Sequence, residues 1–111
     1  MGVSSVRLKR CDLVTLSGRM DSSAVPQVEE VLKDITDAGR FHLVLDMGGV
    51  DFASSDFLRM LIRYLKLCRR WNRGDLRLAA LSPQVADMLK LTGAMPFFKT
   101  FDNAALAVGS F

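Results

Sequence analysis

The sequence predicts an α/β domain built on a mixed β-sheet of four to five strands with about four helices. The apolar run Phe41–Leu45, interrupted only by His42, is too continuous for a strand with one wet face and reads as a strand covered on both sides, and Leu76–Leu81 reads as a second buried strand. Around them lie segments whose apolar residues recur at the 3.6-residue spacing of a helix. These strands and helices alternate after an opening hairpin, the order that places strands of both directions in one sheet.

Val3–Leu8 and Leu13–Leu16 cluster β-favouring residues on either side of Lys9, Arg10, Cys11 and Asp12, which predicts the hairpin. Gly18–Asp21 reads as a turn. Ser22 or Ser23 then caps a first helix whose inner positions are Val25, Val28, Val31, Leu32 and Ile35, stopped by Ala38-Gly39. The strand Phe41–Leu45 follows, and Met47–Phe52 reads as a turn. Leu58, Leu61, Ile62, Leu65 and Cys68 mark the inner face of a second helix that ends near Asn72–Gly74. After the strand Leu76–Leu81, Ser82-Pro83 opens a third helix in cap-then-proline order, with Val85, Met88, Leu89 and Leu91 on its packed side and Gly93 beyond its end. Phe97, Phe98 and Phe101 suggest a last short strand, placed in the core or in a homodimer contact. Asp102 is the expected cap of a terminal helix through Ala107.

With 111 residues, half of them hydrophobic, and no repeat or linker, residues 1–111 are expected to form one domain. A chain of this length can bury about 65% of its unfolded surface around a single core. No apolar run approaches the roughly 20 residues that cross a bilayer, and the start MGVSSVRLKR lacks the apolar middle of a signal peptide. A soluble, cytoplasmic protein without membrane insertion is the expectation. Cys11 and Cys68 stand far apart with no Cys or His at metal-ligand spacing, so both are expected reduced and no metal is implied. Fifteen basic and twelve acidic residues give a net charge of +3, too modest to indicate direct nucleic-acid binding.

The stretch FHLVLDMGGVDFASSDFLRMLIRYLKL carries most of the functional information. It places Ser54 and Ser55 where a buried strand hands over to a helix. Unpaired N–H groups and the positive end of the helix dipole there can be capped by a hydroxyl or can steady an added phosphate. Simple capping is the bland alternative, and the loop at a strand's carboxyl end is the position where partners reach a side chain. Asp21 reads as a turn residue whose functional value depends on lying near the serines in space. Asp46 is either a carboxylate at the sheet edge or a partner of the Gly48-Gly49 turn. Arg59, Arg63, Lys66, Arg70 and Arg73 recur along one side of the second helix, either as a solvated face or as a surface for an acidic partner. Trp71 alone makes no stacking platform. His42, the only histidine, lies in the predicted strand with no nucleophile beside it; neither a G-x-S-x-G elbow nor a Walker A pattern occurs. No catalytic residues are assigned, and the protein is expected not to be an enzyme.

The segments LVLDMGGVDFASSDFLRMLI and LRLAALSPQVADMLKLTGAMPFF, with the early LSGRMDSSA, resemble the STAS domain family, named for sulfate transporters and anti-sigma factor antagonists. LSGRMD is similar to the family's Leu-x-Gly-x-Leu-Asp turn, and SPQV…LTG to its third helix. The resemblance covers nearly the whole chain and implies the STAS fold in a stand-alone member. Such members bind an anti-sigma factor that is also a GHKL-type serine kinase, thereby freeing a sigma factor, and phosphorylation of a serine reverses the binding. That serine stands in an Asp-Ser-Ser-Gly or Asp-Ser-Thr-Gly motif. An ungapped match from Phe52 to Leu58 places it on Ser55, with Ser54 as the second choice. Ser54 occupies the motif's aspartate position, Asp56 that of the second Ser or Thr, and Phe57 that of the glycine.

The resemblance therefore implies Ser55 as phosphoacceptor and a partner surface of Asp21, Ser54, Ser55, Asp56, Phe57, Arg59 and Arg63, with no metal or redox cofactor. Asp56, adding negative charge beside the acceptor, is expected to mimic part of the modified state. Two other roles share the fold: a cytoplasmic subunit docked on the ATPase of a lipid-importing ABC transporter, and a scaffold in a stress-signalling assembly.

Overall fold

In the computed structural model, which describes residues 1–111, the opening hairpin forms between β1 (Gly2–Arg7) and β2 (Asp12–Met20). β2 pairs in parallel with β3 (His42–Ala53), β3 with β4 (Asp75–Ala79), and β4 with the two-residue β5 (Thr100–Phe101). The five strands lie side by side in chain order, and only the first pair is antiparallel. Parallel neighbours require crossover connections. α1 (Val25–Asp37), α2 (Ser55–Arg69) and α3 (Pro83–Leu91) supply them, and α4 (Ala104–Gly109) ends the chain. The expected mixed sheet with helices is thus the observed architecture.

The two-residue period of β3 divides the core. Leu43, Leu45 and Met47 pack with Val14, Leu16, Leu76 and Leu78 against the inner faces of α1, α2 and α3. Val44 points the other way and joins Cys11, Ala79 and Ala107 under α4. Covering on both faces explains the apolar runs Leu43–Leu45 of β3 and Leu78–Ala79 of β4. Both cysteines are free and buried. Burial, with Asp75 beside it, pushes the Cys68 thiol up to about 12. No helix is long and apolar enough to cross a membrane.

The structure corrects several expectations. Met47–Phe52 is no turn: β3 continues through it to Ala53, paired with Ser17–Met20 of a β2 that is likewise longer than expected. β3 carries an extra residue between Asp46 and Gly49, and again between Val50 and Phe52, as the register with β2 shows. The Gly48-Gly49 pair that resembles a turn is the first of these bulges, since a side chain at Gly49 would press on Ser17 and the Leu16 carbonyl. Between the two bulges Gly18, paired with Val50, adopts φ +92°, a conformation that favours glycine.

Neither Ser22 nor Ser23 caps α1. Its N-cap is Ala24 without a side-chain bond, because the Ser23 hydroxyl and N–H both donate to Asp21 Oδ1, at 2.6 and 3.1 Å. Leu81 lies beyond β4, where Ala80 turns the chain with φ +59°. Leu91, expected on the packed side of α3, is 81% exposed. Phe97 and Phe98 are not in a strand: Pro96 favours a single 3₁₀ turn over Met95–Phe97, leaving only Thr100–Phe101 as β5. Asn103, not Asp102, caps α4, accepting from the Leu106 N–H at 2.9 Å. The cap of α3 is as expected: Ser82 Oγ accepts from the Val85 N–H at 3.2 Å, with Pro83 next.

Candidate functional site at the β3–α2 junction

β3 ends at Ala53, and Ser54 keeps an extended backbone (φ −77°, ψ 163°) as N-cap of α2. Its Oγ accepts from the Phe57 N–H at 3.2 Å, and its own N–H donates to the Met20 carbonyl at 2.8 Å. Ser54 therefore does two structural jobs, stopping an orphan donor of the helix and tying the junction to the end of β2. Ser55 is the first helical residue and is exposed. Its Oγ accepts from Arg59 Nη2 at 3.4 Å, one turn further along. Of the two serines, capping consumes the oxygen of Ser54 and leaves that of Ser55 open to solvent.

Asp56 and the segment after β2 complete the site. Asp56 Oδ2 accepts from the Ser22 hydroxyl at 2.8 Å, and its Oδ1 pairs with Arg59 Nη2 at 3.0 Å. This bond across 34 residues brings the Asp21–Ser23 turn beside the start of α2. Asp21 is thus near the serines, as its functional reading required, and it organises its own turn. Chiefly the Ser23 hydroxyl, then the Ser23 and Ala24 N–H groups and Arg19, hold its carboxyl below the usual range. Arg19 reaches Asp21 at 3.7 Å and lies over the Phe52 ring at 3.9 Å. Ser22 and Arg19 are members of the site that sequence reasoning missed. Ser22 was visible only as a helix-cap candidate, and no local pattern reports a contact 34 residues away.

Two expectations for this surface are corrected. Phe57 offers nothing to a partner, being 0% exposed and among the largest side chains of the core. At the third position of α2 its ring lies on the apolar stripe with Leu61, Tyr64, Leu65 and Cys68, so packing decides its direction. Arg73 does not extend the basic stripe. Its Nη2 donates to the Leu67 carbonyl at 2.6 Å and its Nε to the Arg70 carbonyl at 3.1 Å, stopping the carbonyl end of α2. Arg59, Arg63, Lys66 and Arg70 remain as an exposed row, with Arg63 reaching across to Glu29 of α1 at 3.3 Å. Asp46 accepts from the Gly48 N–H at 3.0 Å, the local role foreseen for it, although within a bulge and not a turn.

The arrangement has a definite chemical character. The hydrogen-bond partner of Ser55 Oγ is a guanidinium, which cannot take a proton. Nothing at the junction raises the hydroxyl's nucleophilicity, so Ser55 suits modification by a base and a donor brought from outside. His42 begins β3 at the other end of the strand, where its ring stacks on Phe111 at 4.9 Å.

A mixed sheet with helices on both faces, and a polar corner built on one strand-to-helix junction, define a small α/β module whose exposed hydroxyl sits at a helix start. The chain belongs to the STAS domain family, whose model matches residues 4–107. Among curated proteins it is similar to BtrV of Bordetella bronchiseptica, provisionally named an anti-sigma factor antagonist, with 29% identity over 99 residues covering 89% of this chain and 84% of that one. Among solved structures it superposes on an anti-sigma factor antagonist from Mycobacterium paratuberculosis with TM-score 0.87 and 19% identity, over 98% of this chain and 92% of that chain. It also superposes on the Bacillus cell fate determinant SpoIIAA in its phosphorylated form, with TM-score 0.76 and 14% identity, over 98% of each chain. At these identities the two structures speak for the fold alone.

Proposed function

We propose that the protein is an anti-sigma factor antagonist, a cytoplasmic, non-enzymatic interaction module that binds an anti-sigma factor/serine kinase of GHKL type and so releases a sigma factor. Ser55 is its phosphoacceptor. The observation that carries the reading is the division of labour at the junction: Ser54 is spent as the cap, and Ser55 keeps an exposed hydroxyl in the first turn of α2. The names of BtrV and of the Mycobacterium paratuberculosis protein support the antagonist role, and SpoIIAA is a neighbour known in a phosphorylated form. The partner surface comprises Asp21, Ser22, Ser54, Ser55, Asp56, Arg59 and Arg63.

A phosphate on Ser55 adds a charge of about −1.5 to −2. The start of α2 and Arg59 tolerate that charge, so the domain stays folded. Asp56 and Asp21 already supply negative charge on the same corner, and Arg19 and Arg59 offset it in the unmodified protein. Phosphorylation tips this near balance strongly negative, which opposes an acidic or closely packed partner. The test is the affinity of a GHKL-type kinase partner for the unmodified protein, for stoichiometrically Ser55-phosphorylated protein, and for Ser55→Ala and Ser55→Asp. The expected result is retention by Ser55→Ala and a loss of about tenfold or more, roughly 1.4 kcal/mol, for the charged forms. Equal affinity of all four forms would overturn the switch, and an ABC-transporter ATPase captured equally by all four would replace the antagonist role.

A further inference from the structure

We infer that the end of the sheet opposite the serine pair holds a second site, which takes a small, multiply charged phosphate compound. A cleft of about 230 Å³ opens there between the β1–β2 turn, the α1–β3 connection and the chain after α2, and Arg7, Lys9, Arg10, Arg40 and Arg73 line it with Phe41. Asp12 is its one carboxylate. It is 3% exposed and already clasped by Arg40, whose Nε and Nη2 bond it at 3.0 to 3.2 Å. That pair is neutral as a unit. Arg7, Lys9, Arg10 and Arg73 enter none of the molecule's salt bridges. Four uncompensated positive charges therefore face one concavity in a protein whose net charge is only +3. Such crowding raises the energy of the empty site and favours a polyvalent anion.

The cleft is also partly preorganised. Arg73 lies over the Phe41 ring at 3.8 Å and is held by the Leu67 and Arg70 carbonyls, while Arg40 is fixed by Asp12. In both cases Nη1 has no partner in the protein, leaving a donor on a guanidinium whose orientation is already set. The β1–β2 turn is fixed in its turn by the Leu8 N–H to the Cys11 carbonyl at 2.8 Å and by His42 Nδ1 against the Arg10 carbonyl at 3.0 Å. Fixed guanidinium groups ringed by adaptable Lys and Arg side chains suit the oxygens of a di- or triphosphate, and the cleft's volume suits a compact anion and not a polymer. β3 separates this end from Ser55 by its whole length of 12 residues. The site is thus spatially separate from the switch at Ser55.

Titration of the whole protein with pyrophosphate at low ionic strength, followed by calorimetry and by amide chemical shifts, tests the inference, with orthophosphate and ATP as parallel arms. Pyrophosphate should bind more tightly than orthophosphate, weaken with added salt, and shift amides of Leu8–Asp12, Gly39–His42 and Arg73. The double substitution Lys9→Gln with Arg10→Gln changes only exposed side chains and should lower pyrophosphate affinity roughly tenfold or more, as expected for lost charge-assisted bonds. ATP matching pyrophosphate supports recognition through the phosphates. No saturable binding by about 1 mM pyrophosphate, affinity untouched by the double substitution, shifts centred on Ser54–Asp56, or binding of ATP without pyrophosphate would each overturn the proposal.

Discussion

Three neighbouring residues at the start of α2 have different physical tasks, and substitution separates them. Phe57→Ala removes a fully buried ring and should cost about 3–5 kcal/mol, read as a lower denaturant midpoint at unchanged slope. Ser54→Ala strips the cap from the Phe57 N–H and should cost about 1 kcal/mol. Ser55→Ala touches only an exposed hydroxyl with a long contact to Arg59, and should stay within about 0.5 kcal/mol of the parent. A large loss at Ser55 would mean that its hydroxyl is structural and would weaken its candidacy as an acceptor. The serine pair was legible in the sequence because cap chemistry follows local spacing. Which serine caps was not, since that depends on where the last residues of β3 and the Met20 carbonyl fix the backbone.

Among the elements, the β3–β4 pair shows how a small residue fixes an alignment. Gly74 sits just before β4, and a Cβ there would collide with the Phe41 carbonyl and the His42 ring. The close approach allows the Asp75 N–H to reach the Phe41 carbonyl at 3.0 Å and starts the register His42↔Asp75. Gly74→Ala should therefore destabilise the protein by about 1–3 kcal/mol, with hydrogen exchange rising first in β4. An unchanged midpoint would show that the start of β4 shifts at no cost. Element type was well encoded here: the runs of β3 and β4 and the helical spacing of α1 and α2 are local patterns. Element length was not. A Gly-Gly pair in isolation reads as a turn, and only the neighbouring β2 strand turns Met47–Phe52 into a bulged continuation of β3.

At the scale of the whole molecule, Asp75 links the C-terminal end of α2 to the sheet and to the last helix. Its carboxylate, 6% exposed as a residue, receives Arg69 Nε at 2.7 Å and Arg77 Nε at 3.0 Å, and Arg77 goes on to the Ser110 carbonyl at 2.7 Å. Burial pushes the Asp75 carboxyl up, but the bonds from Arg69 and Arg77 outweigh it and hold the group below its ordinary value. A carboxyl lowered in the folded state contributes stability that is fully present above its unfolded value. That contribution is lost as pH falls below about 4 toward the folded one. Acid unfolding monitored by circular dichroism should therefore show a loss in that range, and Asp75→Asn should lower stability at neutral pH while flattening the acid limb. An acid limb identical in the variant would assign the loss to other carboxylates.

The class of the fold, the strand-helix alternation, and the presence of a hydroxyl pair at one helix start could be read from residue order, because each is written in spacing that spans a few residues. Tertiary structure alone decided which serine is free, that Phe57 is core and not surface, and that Ser22 meets Asp56 across 34 residues. It also gathered the Arg7–Arg10 turn, Arg40 and Arg73 around one cleft. For the Ser22–Asp56 contact and the cleft the physical reason is that parallel strands and their crossover helices bring distant segments side by side, so that no local window of the chain contains both partners; for the serine pair and Phe57 it is that burial fixes which way the start of α2 faces.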